Sequence, residues 1–318
     1  MKLFESNLLS EDLLEINKIL KNGELGFGSN VPLFEKRFEH FSDKTFNIST
    51  NSASAAAFMI FAYFKEIYGV CDVYTTSLGF TSPAWAAQHF GHNLIFVDVQ
   101  EDLQFSSKHY KSVRKKTDNK VVVMPVLYGG VGTINNFELY GDEIVVVDSA
   151  HCSTPTIEAD YLFFSFHPYK PICTSDGGMI STNNFNANKF FRTYRNFGRV
   201  SRGLTYDVFG PGFKFYMNNL NATIGLTQLI KYHARVAHRK EIYNKLSAKY
   251  DLLPQDEASS YYFATTIVDN ADELIKKYGI SRHYPMLHKL PFYEKGEFLP
   301  KLEFLHSRIL NLPLYREI

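Results

Sequence analysis

Residues 143–151 read EIVVVDSAH and residues 161–170 read YLFFSFHPYK. Each is an unbroken apolar run of strand length that passes directly into polar, reactive side chains. Strands with one wet face alternate apolar and polar residues, so unbroken runs imply strands covered on both faces, the habit of a mostly parallel sheet. Residues 120–126, KVVVMPV, repeat the pattern, and shorter runs at Asp72–Thr75 and Asn93–Val97 precede it. Helical stretches separate the runs, so the order reads as α/β, a mostly parallel central sheet with helices on both faces.

Toward the N-terminus, AAAFMIFAYFKEIYG predicts a helix that starts near Ser52 or Ser54, since an Ala-rich first turn favours helix. Leu13, Ile16, Ile19 and Leu20 recur on one helical face, with Ser10 as a candidate N-cap and Asn22-Gly23 as a stop signal. Toward the C-terminus, a helical pattern over Ala222–Tyr250 leads to a run at Tyr261–Val268 and a proline-bearing tail. That tail end suits a smaller α+β unit. The expected division is a large α/β domain over residues 1–220 and a small C-terminal α+β domain over residues 221–318.

Composition narrows the function classes. The chain has 318 residues, 45% of them hydrophobic and 21% charged, enough to build a buried core and too apolar for disorder. Thirty-four Lys and Arg against 33 Asp and Glu leave a net charge of +1, which offers no broad basic field for nucleic acid. The longest apolar run, Ala55–Phe64, stops at Lys65, well short of the roughly 18 residues of a membrane span. MKLFESNLLSEDLLEINKIL lacks the basic-then-apolar order of a signal peptide, so a cytoplasmic protein is expected. Cys71, Cys152 and Cys173 show no CxxC spacing and read as buried free thiols; no metal site is suggested.

In open α/β sheets ligands sit beyond the carboxyl ends of the strands, so the polar groups that follow the apolar runs are the candidates for chemistry. Asp148-Ser-Ala-His151 follows one run, Ser165-Phe-His-Pro-Tyr-Lys170 another and Leu-Gly-Phe80 a third, while Asn51 to Ser54 open a helix. Together they offer a carboxylate, an amine, an aromatic face and a helix N-terminus. Pyridoxal phosphate needs that set: an amine to form the imine, a carboxylate to hold the pyridine nitrogen protonated, and backbone N–H groups for the phosphate. Taken singly, each has an ordinary explanation, since a lone Lys is usually solvated and an Asp after a strand is often a turn residue.

Order and spacing add a resemblance. GELGFGSNVPLFEKRFEHF (23–41), NSASAAAFM (51–59), FVDV (96–99), VDSAH (147–151), FFSFHPYKPICTSDGGMI (163–180), GFKFYMNNLNATIGLTQL (212–229) and HYPMLH followed by LPLY are similar to the DegT/DnrJ/EryC1/StrS sugar aminotransferases, which have the aspartate aminotransferase fold. The resemblance spans almost the whole chain, and SFHPxK with SDGGM is its most specific part. It implies that Lys170 joins pyridoxal phosphate and carries the proton in transamination; relatives with histidine there are dehydratases. It further implies that Asp148 pairs with the ring nitrogen, His151 reaches the ring hydroxyl, and Phe80 covers one ring face. Ser165 would bond the phosphate, with the N–H groups of Ala53 and Ser54. The family's Gly-Thr is here Ser52-Ala53, so Ser52 or Ser54 would supply the missing hydroxyl.

Lys214 stands where many relatives reach the phosphate across a homodimer interface, which implies composite active sites. His283 would approach from the small domain, and Arg195, Arg199, Arg202 and Tyr206 lie in a stretch that could meet a nucleotide diphosphate. The chain ends on LPLYREI, short of the closing helix of most relatives. The function implied is transfer of the amino group of L-glutamate to a nucleotide-linked keto sugar, with YDVFGPGFKFYMNN most similar to perosamine-synthase-like 4-aminotransferases. Two alternatives stay open: a catalytically impaired binding or regulatory protein on the same fold, and an aminotransferase for another keto substrate such as an aminocyclitol precursor.

Overall fold

The computed structural model describes residues 3–4, 10–202, 205–293 and 298–315. Seven strands build the central sheet: β1 (Phe46–Thr50), β2 (Cys71–Thr76), β3 (Asn93–Val97), β4 (Lys120–Met124), β5 (Ile144–Asp148), β6 (Tyr161–Ser165) and β7 (Gly178–Thr182), in the order β1-β7-β6-β5-β4-β2-β3. From β3 through β2, β4 and β5 to β6 every pairing is parallel. β7 runs antiparallel to both β6 and β1. The described helices are α1 (Ser10–Asn22), α2 (Asn30–Ser42), α3 (Ala53–Tyr68), α4 (Thr81–His89), α5 (Ser107–Val113), α6 (Phe185–Tyr194), α7 (Asn219–Ser247), α8 (Ala271–Tyr278) and α9 (Pro300–His306).

The unbroken apolar runs are explained by two cores. In β4, Val121 and Val123 enter one core while Val122 and Met124 enter the other; in β6, Leu162 and Phe164 part from Tyr161 and Phe163 in the same way. The first core is closed by Phe34 and Phe38 of α2 and by Ala222, Leu229 and Tyr232 of α7. Phe38 meets Phe164 edge to face with centroids 4.9 Å apart, and each such fully buried ring contributes about 1.5–3 kcal/mol from area alone. The second core is closed by Ala56 to Phe64 of α3 and by Phe191 of α6.

Helix starts follow their caps. Ser52, in extended backbone, accepts the Ala55 amide at 3.1 Å and begins α3 one residue on, as expected. Asn218 does the same for α7 by accepting from Asn221 N at 2.8 Å, so the helix starts three residues before the expected Ala222. The first half of α7 packs on the large sheet, whereas Ile242 and Leu246 pack with Leu310 and Leu312 of a two-stranded antiparallel ribbon. A hairpin of β8 (Arg199–Arg202) and β9 (Thr205–Val208) precedes that ribbon, which is β10 (Ala264–Ile267) with β11 (Ile309–Leu312). Asp98 of the FVDV motif joins the two regions: Oδ1 accepts from Leu302 N at 2.8 Å and Oδ2 from Lys301 N at 2.9 Å, capping α9.

The expected N-terminal helix is α1, and its apolar face is only partly covered. Ile19 is buried, while Leu13 and Leu20 are 57% and 51% exposed, and α1 packs on α7. Cys71, Cys152 and Cys173 are buried free thiols. Among the described residues no helix is long and apolar enough to cross a membrane.

Candidate active site

Because β2, β4, β5 and β6 run parallel, their carboxyl ends open on one edge of the sheet, where the chain turns into its polar segments. There a cavity of about 800 Å³ is lined by Ser52, Ala53, Ser54, Phe80, Asp148, His151, Ser165, Lys170 and His283, residues far apart in sequence. Nine of the expected site residues thus meet in one place.

Asp148 ends β5 and is buried, with Oδ1 accepting from Ala150 N at 3.0 Å. Burial raises its pKa to about 6, against the opposing pull of the Ala150 N–H and of Lys170. Lys170 closes a turn in which its amide donates to His167 O at 2.9 Å. Burial lowers the amine to about 7, with the Asp148 carboxylate working the other way, and Nζ lies 4.3 Å from the Tyr262 ring centre. An amine that is about half neutral near pH 7 is a nucleophile and a proton carrier, which a solvated lysine is not.

His151 is buried, in contact with the rings of Tyr262 (4.4 Å) and Tyr284 (5.7 Å). Its Nε2 lies 2.8 Å from the Tyr284 hydroxyl, while Nδ1 has no hydrogen-bond partner among the described residues. Burial, with the charges of Lys170 and His283 added, holds the imidazole well below its ordinary pKa. Close packing here requires glycine at 130: a Cβ would lie 2.8 Å from Tyr262 N and 3.0 Å from His151 O.

At the other end of the cavity stands the first turn of α3, where Ser52 Oγ and O take the amides of Ala55 and Ala56 and the helix itself offers no acceptor to those of Ala53 and Ser54. Ser52 is therefore committed as a cap, and Ser54 holds Ser82 Oγ at 2.7 Å on the exposed rim. β7 presses against this helix start: a Cβ on Gly178 would come within 2.5 Å of the Ser52 carbonyl carbon. The SDGGM motif thus owes its second glycine to backbone packed on backbone. Ser165 Oγ, at the end of β6, accepts weakly from His167 N at 3.4 Å. Phe80 ends the β2 turn as a ring 58% exposed, edge-on to Tyr284 at 6.0 Å.

Lys214, Tyr206 and the candidate arginines are not among the residues that line this cavity. Lys214 sits behind the helix start, its carbonyl accepting from Asn51 Nδ2 at 3.2 Å. Tyr206 lies on the β8–β9 hairpin, its ring 4.7 Å from the Arg199 guanidinium. Arg195 is not available to a diphosphate: it is buried, paired with Glu35 Oε1 at 2.6 Å and donating to Ser49 O. The side chain of Arg202 lies outside the described residues.

The cavity also contains residues that motif spacing did not reveal. Phe4 lies between Tyr169 (5.6 Å) and Tyr262 (4.7 Å), nearly parallel to both. Tyr284 and Tyr169 adjoin the noted His283 and Lys170 in sequence, a signal that could have drawn attention to them. Phe4 and Tyr262 stand in stretches with no comparable mark.

The residues present fit pyridoxal phosphate. The residues that line this one cavity carry a buried carboxylate for a ring nitrogen, an imidazole whose Nδ1 is unpartnered among the described residues, an amine with its pKa lowered to about 7 and a helix N-terminus for a phosphate.

Comparison with known proteins agrees in extent with the resemblance carried by the motifs. The sequence model of the DegT/DnrJ/EryC1/StrS aminotransferase family matches residues 7–318. The spore coat polysaccharide biosynthesis protein SpsC of Bacillus subtilis (strain 168) is 26% identical, over 96% of this chain and 90% of its own length. The UDP-4-amino-4,6-dideoxy-N-acetyl-beta-L-altrosamine transaminase of Campylobacter jejuni (serotype O:2) is 27% identical, over 95% of this chain and 80% of its own. Among solved structures, Spr1654 from Streptococcus pneumoniae in its PLP form superposes with a TM-score of 0.86 at 21% identity, covering 100% of this chain and 94% of that one, a likeness of fold. With its model matched from residue 7 to the last residue, this chain belongs to the DegT/DnrJ/EryC1/StrS aminotransferase family.

Proposed function

We propose that this chain is a pyridoxal-phosphate-dependent aminotransferase that moves the amino group of L-glutamate onto a nucleotide-linked keto sugar, in the simplest case a 4-keto-6-deoxyhexose. The observation that carries this reading is the buried, near-neutral Lys170 amine sharing a cavity with the Asp148 carboxylate and the start of α3. The transaminase from Campylobacter jejuni, which acts on a UDP-linked sugar by its name, supports the choice of substrate class.

Pyridoxal phosphate, when bound, supplies an electron-withdrawing ring that makes the carbon bearing the amine acidic. Asp148 would keep a proton on the ring nitrogen beside it, a role suited to a carboxylate screened from water. Lys170, as a neutral amine, would take the proton from the amine-bearing carbon of glutamate and return it on the other side of the reaction, then reverse the order for the sugar. The amides of Ala53 and Ser54, with Ser165, would hold the phosphate. His151 would hold the ring oxygen, and Phe80 would cover a ring face from the water side.

We further propose that the site is completed by a second copy of the chain. Lys214 lies outside its own cavity but beside the α3 start. The hairpin region nearby exposes Val200, Tyr206, Val208, Phe209 and Phe213, and α1 exposes Leu13 and Leu20, an apolar surface suited to a two-fold partner. In this reading residues 1–220 form the cofactor-binding unit and 221–318 the smaller one, with α7 running from one into the other.

The test is spectroscopic. The purified protein given pyridoxal phosphate should turn yellow, lose the visible band on addition of L-glutamate, and regain it with a nucleotide-linked 4-keto-6-deoxyhexose as amino sugar appears by mass spectrometry. A protein that takes up no cofactor would favour the non-catalytic alternative. A band that answers glutamate but no nucleotide sugar would refute the substrate assignment.

A further inference from the structure

His151 raises a question of proton placement, because a neutral imidazole carries one N–H and only one of its nitrogens can donate. Its Nε2 faces the Tyr284 hydroxyl at 2.8 Å, and its Nδ1 is buried without a partner among the described residues. Two arrangements are conceivable. If Nε2–H donated to the phenol oxygen, Nδ1 would be a bare acceptor and the phenol proton would need another acceptor. Among the described residues the Tyr284 hydroxyl has His151 as its hydrogen-bond partner and no other. If the phenol donates instead, its proton is used and the imidazole proton goes to Nδ1.

We propose that Tyr284 is a positioning residue for this site: its hydroxyl donates to His151 Nε2 and holds the imidazole as the Nδ1–H tautomer, which offers a donor to the ring oxygen of the cofactor. Burial supports the neutral pair, since it holds His151 well below and Tyr284 well above their ordinary pKa values. Both partners are held in place from outside the pair. Tyr284 O accepts from His306 Nε2 at 2.8 Å, and Leu78 bridges Met286 in antiparallel fashion, so the segment bearing the tyrosine is tied to the end of β2. Tyr262 packs against the imidazole with ring centroids 4.4 Å apart. Orientation of a histidine by a hydrogen bond at its far nitrogen is the usual way a protein selects one tautomer.

The consequence for a bound cofactor rests on the proposed function, but the tautomer itself does not, and the experiment separates them. Heteronuclear NMR of cofactor-free protein with isotope-labelled histidine should place the His151 proton on Nδ1 in the unaltered chain. Tyr284→Phe should bring in the Nε2–H form. A proton found on Nε2 in the unaltered protein overturns the proposal without any variant having to fold.

In protein loaded with pyridoxal phosphate, Tyr284→Phe should raise the pH midpoint of the visible band by up to about one pH unit, as a donor to the anionic ring oxygen is weakened. The same replacement in a His151→Leu background should leave the midpoint where His151→Leu alone puts it. An equal shift in both backgrounds would mean that Tyr284 acts by another route, and the proposal fails. If the unaltered protein takes up no cofactor, the functional assignment fails while the NMR measurement still decides the tautomer.

Discussion

Asp148→Asn should make the cofactor-free protein more stable while removing its turnover. The carboxyl is 4% exposed, and burial raises its pKa from 3.8 to about 6. A group whose pKa is higher folded than unfolded contributes stability that is full below the unfolded value and is lost as pH rises through the folded one. Between pH 3.8 and about 6, ionisation of Asp148 therefore costs the folded state roughly 3 kcal/mol, at about 1.4 kcal/mol for each pH unit. Asparagine keeps an oxygen for the Ala150 N–H and carries no charge.

Urea unfolding of cofactor-free protein in steps from pH 4 to pH 8 would measure this. The variant should gain up to about 3 kcal/mol at pH 8, and the two proteins should converge near pH 4. At pH 8 Lys170 is mostly neutral, so the lost attraction between amine and carboxylate does not mask the gain. With cofactor and substrates present, the same variant should lose turnover by orders of magnitude, because the ring nitrogen has no anion beside it. An Asp148→Asn variant no more stable than the original at pH 8, or an offset that does not change with pH, would refute the reasoning.

Other outcomes follow from single contacts. Lys170→Ala should abolish both the yellow colour and turnover; an active, yellow variant would assign the amine elsewhere. Glu35→Ala strands the buried Arg195, whose Nη1 lies 2.6 Å from the carboxylate, and should lower unfolding free energy by about 3–5 kcal/mol, readable by thermal or urea melts. Gly178→Ala places a Cβ about 2.5 Å from the Ser52 carbonyl carbon and should weaken cofactor retention by displacing the α3 start; unchanged retention in equilibrium dialysis would show that the helix start does not hold the phosphate. Mixing Lys170→Ala chains with Lys214→Glu chains should restore partial activity, since one composite site of a mixed dimer escapes both changes. No recovery after verified subunit exchange would leave Lys214 a surface lysine.

The α/β class was legible in KVVVM, EIVVVD and YLFFS because a strand covered on both faces must be apolar throughout, and that demand is written in consecutive residues. The four polar segments of the site were legible for a related reason: each directly follows a run or opens a helix. β1 was not legible. Its FNIST can be polar because Asn47 and Ser49 find partners outside the strand, Ser42 and Ser181 for one and Glu35 for the other. β7 hid in a glycine motif whose conformation depends on the backbone of α3. The commitment of Arg195 to Glu35, the uncovered face of α1, and the pairing of Tyr284 with His151 likewise join residues that sequence distance keeps apart. Local pattern records what a residue needs from its neighbours along the chain, such as a cap or a covered face. Which carboxylate meets which guanidinium, and which phenol orients which imidazole, is set only when the strands assemble and burial makes each unpaired polar group costly.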